Sequence, residues 1–230
     1  MNKRESHQNA IEVFARVPAF SGVDAPTLED IASVAIPRAY DEGQVVFLEG
    51  EPCAGLYIVQ DGWLKSVKIS TSGREQVIRF VGPGETFNEI GVFAGGPNLI
   101  TVEALEPARV WIIPRQPLLE LIEEHPALCQ VVIQNLAGRI LHLMSLVEDL
   151  SLRPVEARLA RFLIEQASGE VVSRRHWSTQ VELASRLGTV PDVLNRALRS
   201  LVEEGLIQLD RQHIQILNQP GLEEKAMLNV

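Results

Sequence analysis

Near residue 118 the apolar pattern of this chain changes period, and that change narrows the folds open to it. From about residue 36 to 115, apolar residues fall in short runs broken by turn residues: "QVVFLEG", "GLYIVQDGWLKSVKI", "EQVIRFVGPGE", "ITVEAL" and "ARVWIIP". Short strands at such spacing predict a small antiparallel barrel or jelly roll. Asp61-Gly62 and Ser72-Gly73 are hairpin signals between these runs. Beyond 118 the period becomes helical. Ile133, Leu136, Ile140, Leu143, Val147 and Leu150 recur at alternating spacings of three and four, a heptad seam of about 2.5 repeats. Leu128, Val131, Val132, Leu141, Met144 and Leu146 supply further apolar faces. A helix with two apolar faces can cover its own domain and also a partner, so these six seam residues are the expected homodimer interface.

The ends complete the outline. Residues 1–30 read as short helices: in "SGVDAPTLEDIASVA" Asp24 precedes Pro26, and Leu28, Ile31 and Val34 share one face. Arg153-Pro154 is a break, with Pro154 opening a helix "VEARLARFLIEQAS" that stops at Gly169. The expectation is an α+β chain: an antiparallel β-roll over 1–127, a long dimerisation helix and hinge over 128–152, and a helical C-terminal domain over 153–230.

Composition narrows the function. No uninterrupted run approaches the ~18 apolar residues of a membrane helix. The N-terminus "MNKRESHQNAIEVFARV" lacks the apolar core of a signal peptide. Cys53 and Cys129 make neither a disulfide framework nor a cluster-binding spacing. The chain reads as cytoplasmic, and no nucleophile–base set or paired carboxylates mark it as an enzyme. The net charge is −9, yet all of that acidity lies in residues 1–152, with 11 basic and 20 acidic side chains. Residues 153–230 hold 10 of each. Within them Arg174-Arg175, Arg186, Arg196, Arg199 and Arg211 could gather on one face.

That C-terminal segment carries the informative motif, "STQVELASRLGTVPDVLNRALRSLVEEGLIQLDRQHIQIL". Thr179 and Glu182 form a capping box that opens one helix. Leu183 and Leu187 face inward, Ala184 is small enough for a helix crossing, and Gly188 supplies the turn. A second helix is expected from Thr189, with Pro191 in its first turn and Leu194, Ala197, Leu198 and Leu201 as its buried stripe. This is a helix-turn-helix pattern, whose second helix lies in the DNA major groove. Its other face presents Asp192, Asn195, Arg196 and Arg199, side chains able to contact cytosine, adenine, guanine or phosphate. "LIQLDRQHIQIL" reads as a two-stranded wing turning at Asp210–Gln212, with Arg211 at its tip. A β-roll regulatory subunit whose helical tail binds protein is the alternative.

In this order, a β-roll, a seam helix, a hinge and a winged helix-turn-helix resemble the CRP/FNR family of bacterial transcription factors. The resemblance runs from about residue 12 to 220 and is carried by "GETFNEIGVF", the seam helix and "TQVELASRLGTVPDVLNRALRSLVEEGLI". It implies a homodimer on a two-fold-symmetric double-stranded DNA site, a small-molecule effector in the β-roll, and regulation through RNA polymerase or by blocking it. The family's base-reading positions fall on Pro191, Asp192 and Arg196. Pro191 stands where the cyclic-AMP receptor branch commonly has arginine, so one guanine contact is lost. Arg196 matches the family arginine. Thr179 and Gln180 fall where phosphate contacts fix register, and Thr189 joins the DNA-facing set.

The same resemblance makes "GETFNEIGVFAGGPNLITVEA", residues 84–104, the effector-facing segment, with Asn88, Glu89, Asn98, Leu99 and Thr101 as candidate pocket residues. Glu89 matches a glutamate that accepts from a ribose 2′-hydroxyl. Asn98 and Leu99 stand where an arginine and a Ser/Thr neutralise the cyclic phosphate, and Asn88 replaces a glycine. Arg79 and Arg109 are the nearest basic residues in this neighbourhood, and neither is at the matching place. A desolvated phosphate monoanion needs a cation, so cyclic AMP is disfavoured here. Two cysteines are too few for an iron–sulfur sensor. Haem remains open, with His142, His125, Cys53 and Met144 as candidate axial ligands. A redox switch at Cys53 or Cys129 also remains open, as does another small apolar or weakly anionic ligand.

Overall fold

The structure, a computed structural model, describes residues 3–73, 75–167, 169–173, 179–210 and 213–227. The chain forms two compact units, divided at Ile140 and Leu141 inside one long helix, with the short segment Glu75–Val77 grouped with the second.

The first unit opens with α1 (Lys3–Phe14), a single 3-10 turn at Pro18–Phe20, and α2 (Ala25–Val34). Asp24 caps α2 by accepting from the Thr27 amide at 2.9 Å, as its place before Pro26 predicts. Eight strands follow: β1 (Ile36–Tyr40), β2 (Val45–Phe47), β3 (Gly55–Asp61), β4 (Leu64–Ile69), β5 (Glu75–Val81), β6 (Thr86–Phe87), β7 (Thr101–Ala104) and β8 (Ala108–Pro114). They form two four-stranded sheets, ordered β1-β8-β3-β6 and β2-β7-β4-β5, which is the expected antiparallel roll. Strands β3 and β8 are buried on both faces, and alternate residues serve different cores. Tyr57, Val59, Val110 and Ile112 join Phe47 and Phe87 in one core. Leu56, Ile58, Trp111 and Ile113 face a second core with Phe14, Ile31, Leu118 and Leu128 from the helices.

The two expected hairpins part ways. Ser72-Gly73 joins neighbouring strands β4 and β5. Asp61-Gly62 does not make a hairpin, because β3 and β4 belong to different sheets. The turn is a tight corner at which the chain changes sheets. Gly62 is required there: its φ is +81°, and an added Cβ would lie 2.6 Å from the Ala108 Cα and the Pro107 carbonyl oxygen. Sequence signals for a two-residue turn report its sharpness, not the partner of the strand that leaves it.

After α3 (Arg115–Glu124) comes the long helix α4 (Pro126–Leu152). Its first turns are anchored, with Leu128 fully buried and Val131 nearly so. Farther along, Ile133, Ile140, Leu143, Val147 and Leu150 are exposed, as are Leu141 and Met144, while Leu136 is half-buried. By length and composition alone, α4 is long and apolar enough to cross a membrane. It reaches that average without an uninterrupted apolar run.

The second unit continues with α5 (Val155–Gln166), β9 (Val171–Ser173), α6 (Gln180–Arg186), α7 (Pro191–Glu203), β10 (Ile207–Leu209), β11 (His213–Ile216) and α8 (Gln219–Ala226). α5 ends at Gln166, three residues before Gly169. Helix α7, the second helix of the expected motif, begins at Pro191 after Val190, so Thr189 precedes it rather than opening it. The wing is a three-stranded sheet ordered β10-β11-β9. Its third strand, β9, pairs with β11 through Val172 and Ile214. Leu159, Leu163, Leu183, Leu194, Leu201, Ile207, Ile216 and Leu222 meet in one core.

Candidate nucleic-acid interface and effector-facing segment

Helix α6 is capped as the sequence predicts, with the Thr179 hydroxyl accepting from the Glu182 amide at 3.2 Å. Leu183, Ala184 and Leu187 are buried. The turn closes when the Thr189 amide donates to the Ala184 carbonyl at 2.9 Å, with Gly188 at φ +64°. Small Ala184 lets the helices cross, and Gly188 lets the chain reverse. Arg158 reaches from α5 to donate to the Leu187 carbonyl, fixing the end of α6. Burial lowers the guanidinium pKa of Arg158 from its ordinary value.

The two faces of α7 separate cleanly. Leu194, Ala197, Leu198 and Leu201 are buried. Asp192, Arg196 and Arg199 are exposed and Asn195 is half-buried. Among the described residues, none of these four polar side chains has a hydrogen-bond or ion-pair partner. Thr179 and Gln180 are exposed at the opening of α6. Pro191 occupies the first position of α7, and no side chain caps the Val190 start. Arg186 is spent elsewhere, 5.3 Å over the Phe162 ring. Arg174, Arg175 and Arg211 lie outside the described residues. The wing turn is tied at its base, where the Asp210 amide donates to the His213 carbonyl at 3.0 Å.

Residues 84–104, the candidate effector segment, present the opposite arrangement. Asn88 adopts a left-handed φ of +72°, the conformation a glycine would hold with least strain. Its Nδ2 donates to the Gly55 carbonyl at 3.1 Å and to Asn98 Oδ1 at 3.1 Å, and lies 3.3 Å from Cys53 Sγ. Asn88 and Asn98 are both buried. The two departures from the family pattern therefore satisfy each other. Asn98 is held further by its backbone, donating to Glu51 and accepting from Gly50 at 2.8 Å each. Thr101 Oγ1 accepts from the Glu49 amide at 3.1 Å, while Leu99 is exposed.

Glu89 is likewise engaged. Its Oε1 accepts from the Thr86 hydroxyl at 2.7 Å and from Arg139 Nη2, on α4, at 3.1 Å. Arg139 Nη2 also donates to the Thr86 carbonyl at 2.8 Å, where Arg79 Nη2 arrives at 3.3 Å. Arg79 pairs with Glu85 at 3.2 Å, and Arg109 with Asp61 at 2.6 Å. The sequence reading missed Arg139. Its position beside the seam, one residue before Ile140, carried no signal of this pairing, and its distance in sequence from Glu89 hid the contact.

Of the haem and redox candidates, His125 and Cys53 are engaged within the first unit. His125 ends α3 and sits one residue ahead of α4, its Nδ1 3.0 Å from Thr27 Oγ1 and its Nε2 3.3 Å from Asp30. Burial raises the Cys53 thiol pKa, opposing thiolate formation. Cys129 is exposed, Met144 projects to solvent, and the His142 side chain lies outside the described residues. Among the described residues no His, Cys, Asp and Glu cluster is arranged to hold a metal ion. A cleft of about 430 Å³ beside α1 is lined by Asn9, Glu12, Arg16, Gln60 and Asp61 among others, and by none of the candidate effector residues.

Comparison with known proteins bears on both regions. Residues 37–125 match the cyclic nucleotide-binding domain, and residues 157–225 match the Crp-like helix-turn-helix domain. Together they span well over half of the sequence. The chain belongs to the CRP/FNR family. Its relatives include the CRP-like cAMP-activated global transcriptional regulator of Mycobacterium tuberculosis, 27% identical over 94% of this chain and 99% of the relative. The cyclic AMP receptor protein of Thermus thermophilus is 29% identical, over 91% and 96% respectively. Among solved structures, FixK2 from Bradyrhizobium japonicum shares the fold with a TM-score of 0.76 at 22% identity, covering 86% of this chain and 100% of that one. CRP/FNR proteins are DNA-binding transcriptional regulators, and the helix-turn-helix of this member is its DNA-binding element.

Proposed function

We propose that this CRP/FNR protein is a cytoplasmic homodimer that binds a two-fold-symmetric DNA site and answers to an effector other than a cyclic nucleotide. The observation that carries the DNA half is the face of α7. It holds a carboxylate and two guanidiniums in solvent and a half-buried amide, none with a partner among the described residues, opposite a buried stripe. Arg196 is assigned to base readout, with Asp192, Asn195 and Arg199 beside it. Pro191 presents no donor, so the operator differs from one read by an arginine at that position. Thr179, Gln180 and Thr189 are assigned to backbone contacts, and Arg211 to the wing. Functionally, residues 1–127 serve effector sensing, 128–152 dimerisation and 153–230 DNA binding.

The dimer reading rests on α4. Ile133 is 61% exposed and Val147 63% exposed, an apolar stripe at heptad spacing that a second copy would cover. Leu136, Ile140, Leu143 and Leu150 complete it. The effector reading rests on Asn88 and Asn98. Two of the relatives are named for cyclic AMP. In this chain the phosphate's cation is absent from Asn98, and Glu89 is already paired with Arg139. Control of transcription is exerted at RNA polymerase, by contact or by exclusion.

The test is selection of bound sequences from random duplexes. Enrichment of an inverted repeat with half-sites about 10 base pairs apart is expected. No enrichment, with sedimentation of a monomer or partition of the protein into lipid vesicles, would replace the dimeric DNA reading. Calorimetry with cyclic AMP is expected to show no micromolar binding.

A further inference from the structure

Helix α8 was not anticipated from the sequence, and its C-terminal end is where three other elements of the second unit converge. Arg153, in the elbow between α4 and α5, donates from Nη1 to the Ala226 carbonyl at 2.6 Å. That carbonyl is one of the orphan acceptors at the end of α8, where a cation is favoured. The same guanidinium holds α4, with Nη2 at 2.5 Å from Glu148 and Nε at 3.1 Å from Asp149. Arg161 of α5 reaches the same Asp149 oxygen, Oδ1, at 3.2 Å, and donates to Ser145 at 2.9 Å.

The preceding residue of α8 makes the second set of ties. Lys225 Nζ lies 2.7 Å from Glu204, the residue that follows and caps α7, and 3.7 Å from Glu156 in the first turn of α5. Leu222 of α8 is fully buried in the shared core. The turn before α7 also abuts α4: a Cβ on Gly188 would lie 2.3 Å from Leu150 Cδ2. Elbow and recognition helix are thus fastened to the same helix end.

We propose that α8 acts as a tie-rod: through Arg153 and Lys225 it fixes the angle between the end of α4 and α7, and so sets which half-site spacing the dimer accepts. Arg153 and Lys225 are positioning residues, because neither belongs to the DNA-facing set. The inference rests on the dimeric reading given above. A rigid elbow holds the two recognition helices at one separation, whereas a loosened elbow tolerates several.

The experiment compares wild type, Arg153→Lys and the double variant Arg153→Gln/Lys225→Gln. Each is titrated with the selected operator, with operators whose half-sites are moved by one or two base pairs, and with a single half-site. Wild type should prefer the selected spacing by about tenfold, the scale of one charge-assisted hydrogen bond. The double variant should bind all spacings within about twofold while keeping its half-site affinity, and Arg153→Lys should fall between. Unchanged spacing preference in a folded double variant overturns the tie-rod alone. A wild type indifferent to spacing overturns the dimeric reading and the tie-rod with it. Equal loss on the half-site and on every spacing would show damage to the DNA face and would also overturn the tie-rod.

Discussion

The effector-facing segment and the recognition helix are both rich in polar side chains, and they use them in opposite ways. Around Asn88, Glu89 and Asn98, each side chain is bonded to another part of the same unit. Along α7, Asp192, Arg196 and Arg199 are exposed and Asn195 is half-buried, and none of the four has a side-chain partner among the described residues. A buried polar group must be satisfied internally because losing water without replacement is costly. An exposed one can stay hydrated until a partner replaces that water. The first region therefore stores its polar groups as structure, and the second keeps them available for a ligand.

The largest effect that would break this contrast is expected at Asn88. Asn88→Ala keeps the strained φ of +72° and removes the donor shared by Gly55 and Asn98. Denaturant unfolding should show a loss of about 2–4 kcal/mol, with sequence preference for DNA unchanged in the folded fraction. Arg196→Ala should do the reverse. It should cost about 1–3 kcal/mol of discrimination between the selected operator and other DNA, with stability altered by less than about 0.5 kcal/mol. Equal weakening on all DNA would reassign Arg196 from base readout to phosphate contact.

Arg139→Ala sharpens the comparison within the first unit. It leaves Glu89, whose side chain is only 12% exposed, with Thr86 as its remaining side-chain partner. The expected loss is about 1–2 kcal/mol, since Arg139 is itself partly exposed to screening solvent. A stable Arg139→Ala protein that now binds cyclic AMP would show that the pairing, and not Asn98, had closed the site.

The smallest effect concerns pH. The Lys225 bond lowers the Glu204 carboxyl pKa below its ordinary 4.5. A carboxyl depressed in the folded state adds stability above 4.5 and loses it as pH falls through the lowered value. Thermal unfolding from about pH 6 to about pH 3 should therefore converge for wild type and Glu204→Gln at the acid end. A constant gap across that window would remove the linkage.

Much of this architecture was legible in local pattern. The switch from short strands to a heptad was read from periodicity, because side-chain direction repeats every two residues in a strand and about every 3.6 in a helix. Ala184, Gly188 and Leu194 marked the helix-turn-helix for a similar reason: a close crossing, a left-handed turn and a core contact each demand a residue type at fixed spacing. Strand β9 gave little signal, since three residues earn their place only by pairing with β11, 42 positions later at Val172 and Ile214. Helix α8 was masked by Pro220 and Gly221 in its first turn, where Asn218 caps it by accepting from the Gly221 amide at 3.0 Å.

By itself, the sequence determined the β-roll, the long seam helix, the exposed face of α7 and the absence of a phosphate's arginine at Asn98. Those follow from residue type and from repeats a few positions long. Tertiary structure alone decided that Asp61-Gly62 changes sheets, that Asn88 reaches Asn98, that Arg139 closes on Glu89, and that Arg153 meets the end of α8. Each of these depends on where a distant segment of backbone passes, and one-dimensional spacing carries no measure of that path.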